Sequence, residues 1–141
     1  MAKPRIGAQL IIWKGRVNTD LPGVLDEVAS LGYAGVETGT EAFLKQPDPK
    51  ELLASRGLSL AGIHRNVRLG LDAVDEALRL LARLGGRYLL FSGAGGRGET
   101  EEEYRQSCRF LEEAGRRAKK QGVMVCYHNH GKEIVDDARG M

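Results

Sequence analysis

Residues 57–92 decide the fold. Gly57-Leu58-Ser59-Leu60-Ala61-Gly62-Ile63-His64 reads as a short apolar strand, Leu58 to His64, preceded by a glycine. Leu71 to Leu84 then sets Val74, Ala77, Leu78 and Leu81 on one face at helical spacing, and Gly85 stands where that helix ends. Arg87 to Ser92 is apolar again and of strand length. A strand, an amphipathic helix and a second strand within roughly 30 residues make a parallel unit with a right-handed crossover.

The same cadence runs outward in both directions. Toward the N-terminus, Ile6 to Trp13 is rich in β-branched residues and reads as strand one, followed by a polar loop from Lys14 to Asn18. Thr19 or Asp20 can cap a helix with Pro22 in its first turn, where the missing N–H costs nothing. Its apolar stripe is Leu21, Val24, Leu25, Val28 and Leu31, and Gly32 closes it. Ala34 to Thr38 is strand two, and Pro49 to Arg56 is a short helix closed by Gly57. Toward the C-terminus, Thr100-Glu101-Glu102-Glu103 is a capping box. It opens a long helix whose last turns carry Arg116, Arg117, Lys119 and Lys120, an order that suits the helix dipole. After Gly122, strand five spans Val123 to His130, and Gly131 to Met141 reads as a loop with a first helical turn.

Five strands alternating with four helices fit two architectures. One is an open, doubly wound sheet. The other is part of an eight-fold parallel barrel. Polar residues near the C-terminal ends of several strands (Gln9, Glu37, His64, and His128 with His130) suit the rim of a barrel and favour it. The expected fold is therefore a partial parallel (β/α) barrel of the TIM type. Residues 1–141 form one domain that stops before strand six, with strands neighbouring one another in chain order. Strands one and five would then be open edges, so self-association through Ile6, Leu10, Ile12, Val123 and Val125 is expected.

The composition is that of an ordinary globular chain, with 42% hydrophobic and 28% charged residues. A formal net charge of +2 gives no argument for a nucleic-acid or membrane partner. No apolar run reaches the length of a signal peptide or a bilayer span. Cys108 and Cys126 fit neither a metal spacing nor a disulfide framework, which points to reduced thiols and a cytoplasmic protein.

Tyr127-His128-Asn129-His130 is the segment richest in chemistry. On a strand, His128 and His130 face the same way, and two imidazoles at a strand end can bind a metal, position a substrate or move a proton. They can equally be structural histidines. Glu37 at the end of strand two is a candidate base or substrate contact, or a rim ion pair, and His64 gains weight by sharing its strand-end position. Glu133, three residues past His130, either orients a histidine or is solvated, and the sequence favours the solvated reading. Ser92-Gly93-Ala94-Gly95-Gly96-Arg97-Gly98 departs from a dinucleotide fingerprint. It is read as a flexible loop over a small-molecule pocket, with Arg97 meeting an anionic group or facing water. Trp13 at the end of strand one can wall a sugar site by stacking, or simply pack.

Ile6-Gly7-Ala8-Gln9-Leu10, Gly32-Tyr33-Ala34-Gly35-Val36-Glu37, Gly57 to His64, and above all Val125-Cys126-Tyr127-His128-Asn129-His130-Gly131-Lys132-Glu133 resemble the xylose-isomerase-like TIM-barrel superfamily. This is the sugar phosphate isomerase/epimerase group, which includes inosose dehydratases. The resemblance implies an eight-stranded barrel with a divalent metal (Mn, Mg, Zn or Co) at its C-terminal mouth and a sugar or polyol substrate. Family members typically draw metal ligands from strands five to eight, as Glu, Asp, His and Glu. Three of those strands lie outside this chain, and strand five carries His-Asn-His in place of the common glutamate. On this resemblance the catalytic candidates are Glu37, His64 and His128, the metal candidates are His128 and His130, and the substrate contacts are Gln9, Trp13, Asn129 and His130.

The function expected is isomerisation, epimerisation or dehydration through an enediolate in the complete barrel, with little activity and weak metal affinity in the isolated chain. The alternative is a non-catalytic partial barrel acting as a binding or self-assembly module. A metal-dependent endonuclease on the same fold and a flavodoxin-like nucleotide binder are weaker competitors.

Overall fold

The computed structural model describes residues 4–134. Strand β1 is Gly7–Gln9 and runs directly into a 3-10 turn, Leu10–Trp13. The eight-residue strand expected there is thus cut short. Ile11 and Ile12 favour a strand by side-chain type, yet both are 68% exposed while Leu10 is fully buried, so no alternation holds the segment extended. The expected loop after it contains one helical turn, α1, Arg16–Thr19. Helix α2, Leu21–Ser30, starts where Asp20 accepts the Gly23 N–H. It buries Leu21, Val24, Leu25 and Val28, whereas Leu31 lies past its end and is exposed.

Strand β2 is Gly35–Thr38, followed by α3, Thr40–Leu44, which the sequence had not signalled, and by α4, Pro49–Ala54, capped by Asp48. Strand β3, Ser59–Asn66, is longer than expected at its C-terminal end and leads through a 3-10 turn, Val67–Leu69, into α5, Gly70–Leu84. The remaining elements are β4 (Tyr88–Ser92), α6 (Glu101–Lys119, with its capping box formed), β5 (Met124–Tyr127) and α7 (Gly131–Ile134). Strand β5 therefore ends before the histidine pair. Of the tail expected from Gly131 to Met141, residues 135–141 lie outside the described residues.

The five strands form one parallel sheet in the order β1-β2-β3-β4-β5, as expected of a barrel wall and not of a doubly wound sheet. One face carries Ala8, Val36, Ile63, Leu89 and Phe91 against the helices. Phe91 is 1% exposed and meets Phe110 of α6 edge-on, with ring centroids 5.3 Å apart. Burying such a side chain stabilises the fold by about 2–3 kcal/mol.

The opposite face is the inner wall. Tyr88 and Met124 are register partners on it and are 44% and 61% exposed. Of the residues expected to be bare at the open edges, Ile6 and Ile12 are exposed, but Leu10 and Val123 are already buried in the core. No helix among the described residues is long and apolar enough to cross a membrane.

Candidate functional site

Side chains reach the C-terminal end of the inner wall because strand residues alternate faces. Gln9 and Glu37 are register partners, as are His64 and Leu90, and Leu90 and Cys126. Between β2 and β3 the register slips: Val36 faces Leu60, but Glu37 faces Gly62. Paired residues point to the same face, and the slip lets Leu60 and Ile63, three residues apart, both face the helices. His64 therefore falls on the inner face with Glu37; in unbroken register it would have shared the helix-side face of Leu60.

The result is a hydrogen-bonded row across four strands. Gln9 Nε2 donates to Glu37 Oε1 at 3.0 Å and lies 3.4 Å from His64 Nδ1. Glu37 Oε1 is 3.8 Å from the same ring nitrogen. His64 Nε2 lies 3.0 Å from Ser92 Oγ. A carboxylate only accepts, so it fixes the Gln9 amide with its NH2 toward Glu37, and the second amide hydrogen serves His64 Nδ1. His64 is then neutral, with its proton on Nε2 directed at Ser92. Burial is the main influence holding its pKa below the usual histidine value; Glu37 acts the other way, and His128 and His130 add to the depression.

The cleft beside this row has a volume of about 470 Å³ and is lined by Gln9, Thr38, Glu41, His64, Asn66 and Ser92, among others. Behind it lies a cluster that sequence reasoning missed. Arg65, one residue past His64 and therefore on the helix side of the sheet, is buried. Its Nη1 donates to Thr40 and Glu41, both at 2.6 Å, and Glu76 of α5 lies 3.7 Å from Nη2. A charge one residue beyond a strand-end polar residue was the available signal, since alternation sends it to the helix side, where it needs an acidic partner.

The histidine pair sits beyond β5. The His128 N–H donates to Phe91 O at 2.7 Å and carries the β4 ladder one residue further. The His128 ring is 5.6 Å from that of His64 and 4.9 Å from that of His130, centroid to centroid. Asn129 is exposed between them. The expected placement of Trp13 at a strand end is corrected: it closes the 3-10 turn, and its Nε1 donates to Glu27 Oε2 of α2 at 2.7 Å, outside the cleft lining.

The solvated reading of Glu133 is also corrected, since it is 0% exposed. It accepts the Tyr127 hydroxyl and the His130 backbone N–H. Burial pushes its pKa up, but these donors outweigh it and hold the carboxyl below its usual value. Burial raises the Tyr127 hydroxyl to about 12, with Glu133 adding to the rise. The glycine loop is pinned rather than free: Ala94 N donates to the Tyr127 hydroxyl at 2.9 Å, and Gly95 N to Ser107 at 3.2 Å.

As metal donors, the imidazoles of His128 and His130 suit a borderline divalent ion in kind. In number they fall short. Among the described residues no group of three or more His, Cys, Asp and Glu side chains comes together to hold a metal.

Residues 25–139 match the family described as xylose isomerase-like TIM barrel. The chain belongs to this family. Solved structures agree on the fold. A sugar phosphate isomerase/epimerase from Parabacteroides distasonis superposes with a TM-score of 0.73 at 20% identity, covering 94% of this chain and 53% of that one. An AP endonuclease, family 2, from Brucella melitensis gives 0.71 at 19% identity, covering 89% and 55%. A D-allulose 3-epimerase from a Methylomonas species, in complex with D-allulose, gives 0.69 at 19% identity, covering 90% and 52%. Further structures of the family's fold hold zinc or magnesium. No curated protein matches by sequence. The chain spans about half the length of these three solved structures.

Proposed function

We propose that this xylose isomerase-like chain supplies strands one to five of a sugar or polyol isomerase, epimerase or dehydratase. The observation that carries the reading is the Gln9–Glu37–His64–Ser92 row at the C-terminal ends of four strands, beside a polar cleft. In this family architecture that end is where chemistry resides. Glu37 is the base that takes a proton from the carbon next to a carbonyl. Neutral His64 holds a proton on Nε2, available to an oxygen that gains charge. Gln9 fixes both groups, and Gln9, Asn129 and His130 contact substrate hydroxyls. Trp13 has no part in this reading because its indole is committed to Glu27. His128 and His130 would hold a divalent metal, with further donors from outside the described residues. When bound, such an ion polarises a carbonyl and its neighbouring hydroxyl. The fold neighbours with bound sugar, zinc and magnesium support the substrate and metal classes. Pairing of two chains through the free edges of β1 and β5 belongs to the same proposal.

NMR titration with D-allulose, D-fructose and myo-inositol, with and without zinc, tests the reading. The His64 and Gln9 side-chain signals are expected to shift on binding. Glu37→Gln and His64→Ala should weaken binding about tenfold or more, through loss of a charge-assisted hydrogen bond. A sugar that binds without moving either signal, or no binding by any of the three, overturns it.

A further inference from the structure

Glu133 is the one carboxylate among the described residues that is fully buried, and no step proposed above uses it. A buried carboxylate is retained only where donors compensate its lost hydration. Here both oxygens are occupied: Oε1 accepts from the Tyr127 hydroxyl at 2.8 Å, and Oε2 from the His130 N–H. The Glu133 N–H donates back to His130 O at 3.1 Å, which closes the turn from both sides. The Tyr127 hydroxyl also accepts from Ala94 N at 2.9 Å. One carboxylate thus joins the end of β5, the turn bearing the histidines and the glycine loop after β4.

We infer that Glu133 is the positioning residue of the histidine pair, with Tyr127 as its relay to the glycine loop. The inference rests on the reading of His128 and His130 as ligand-contacting groups. The geometric reason is that the Glu133 carboxylate bonds the His130 N–H where the chain turns from β5 into α7, so it sets the direction of the His130 backbone. That backbone sets where the His130 ring stands against His128, 4.9 Å away. A carboxylate suits the place because both neighbours donate to it, whereas an amide accepts at only one of its two ends and would force the Tyr127 hydroxyl or the His130 N–H to give up its acceptor.

The test is Glu133→Gln, nearly isosteric, with Tyr127→Phe as the second variant, read first without metal. In wild type the His130 amide is expected to be protected from exchange and the two rings to show an NOE. In Glu133→Gln the amide should exchange at least about tenfold faster and the inter-ring NOE should fall, while the His64–Ser92 contact is retained. Tyr127→Phe should release the Ala94 amide and disturb His130 less. Zinc then serves as a probe of the pair: its apparent affinity at the two rings should weaken about tenfold in Glu133→Gln, the range typical of groups that orient a ligand. An unchanged His130 amide and NOE in Glu133→Gln overturn the inference. Loss of both with no zinc response at either ring in wild type upholds it and removes the metal reading instead.

Discussion

Replacing Gly35 by alanine separates a sheet-closing glycine from one that merely lowers helix stability. A Cβ at Gly35 would stand 2.5 Å from the backbone oxygen of Ser59, where ordinary contact begins near 3.4 Å, so β2 and β3 must part by about 0.9 Å. The neighbour is backbone and cannot swing away. The strands are also clamped just there, since the Ser59 N–H and hydroxyl both donate to Ala34 O, at 3.1 and 3.0 Å. Overpacking of this kind costs about 2 kcal/mol, a fall in Tm of roughly 6–8 °C for a chain this size. Because the strain enters directly below the register slip that brings His64 to Glu37, the contacts among Gln9, Glu37 and His64 should loosen as well. Gly115 is the control. It lies inside α6 with nothing within 4 Å of an added Cβ, so Gly115→Ala should raise stability by about 0.5–1 kcal/mol. Thermal unfolding by circular dichroism, with urea midpoints as a check, reads both. A Gly35→Ala variant as stable as wild type would refute the claim that the strands cannot yield.

Two further outcomes are expected. His64 titrates below its ordinary value of 6.5 when folded, so below that pH the unfolded chain takes up a proton that the folded one resists. Stability should therefore decline as pH falls from about 6.5 toward the folded pKa, and His64→Asn should flatten that slope in urea unfolding at pH 7.5 and 5.5. Ile6, Tyr88 and Met124 leave apolar surface on the free edges and inner wall, so sedimentation should show association at tens of micromolar, weakened by Met124→Lys; a monomer at every concentration would count against edge pairing.

The strand–helix cadence was legible because each long element shows its own periodicity. Val74, Ala77, Leu78 and Leu81 are all buried in α5, as their spacing requires. Short elements gave no such signal. Helix α3 has five residues, too few for a stripe, and forms because Ala42 and Phe43 find a buried place in the tertiary structure. Ile11 and Ile12 misled in the opposite direction, since their type suggests a strand while their exposure shows nothing to hold one. In the site, Gln9, Glu37 and His64 could be named from strand-end position, but their meeting depends on a one-residue slip that leaves no mark on either strand's composition. The burial of Arg65 and Glu133 was equally hidden, because charge reads as exposure until a partner is known.

The order of the strands also bears on how the chain is made. Each strand pairs only with its immediate neighbours in the chain, and none must wait for a distant partner. On the ribosome, β2 can dock on β1 and β3 on β2 while later residues are still in the exit tunnel, so loops to be closed stay about one repeat long. Besides the standing edge at β1, the growing sheet has an open edge at its leading side, and the next unit to emerge covers that one. A pause in translation would therefore leave a shorter wall of the same kind and not a tangle. The hazard that moves with synthesis lies at the most recent strand, where a nascent-chain binder would be expected to act.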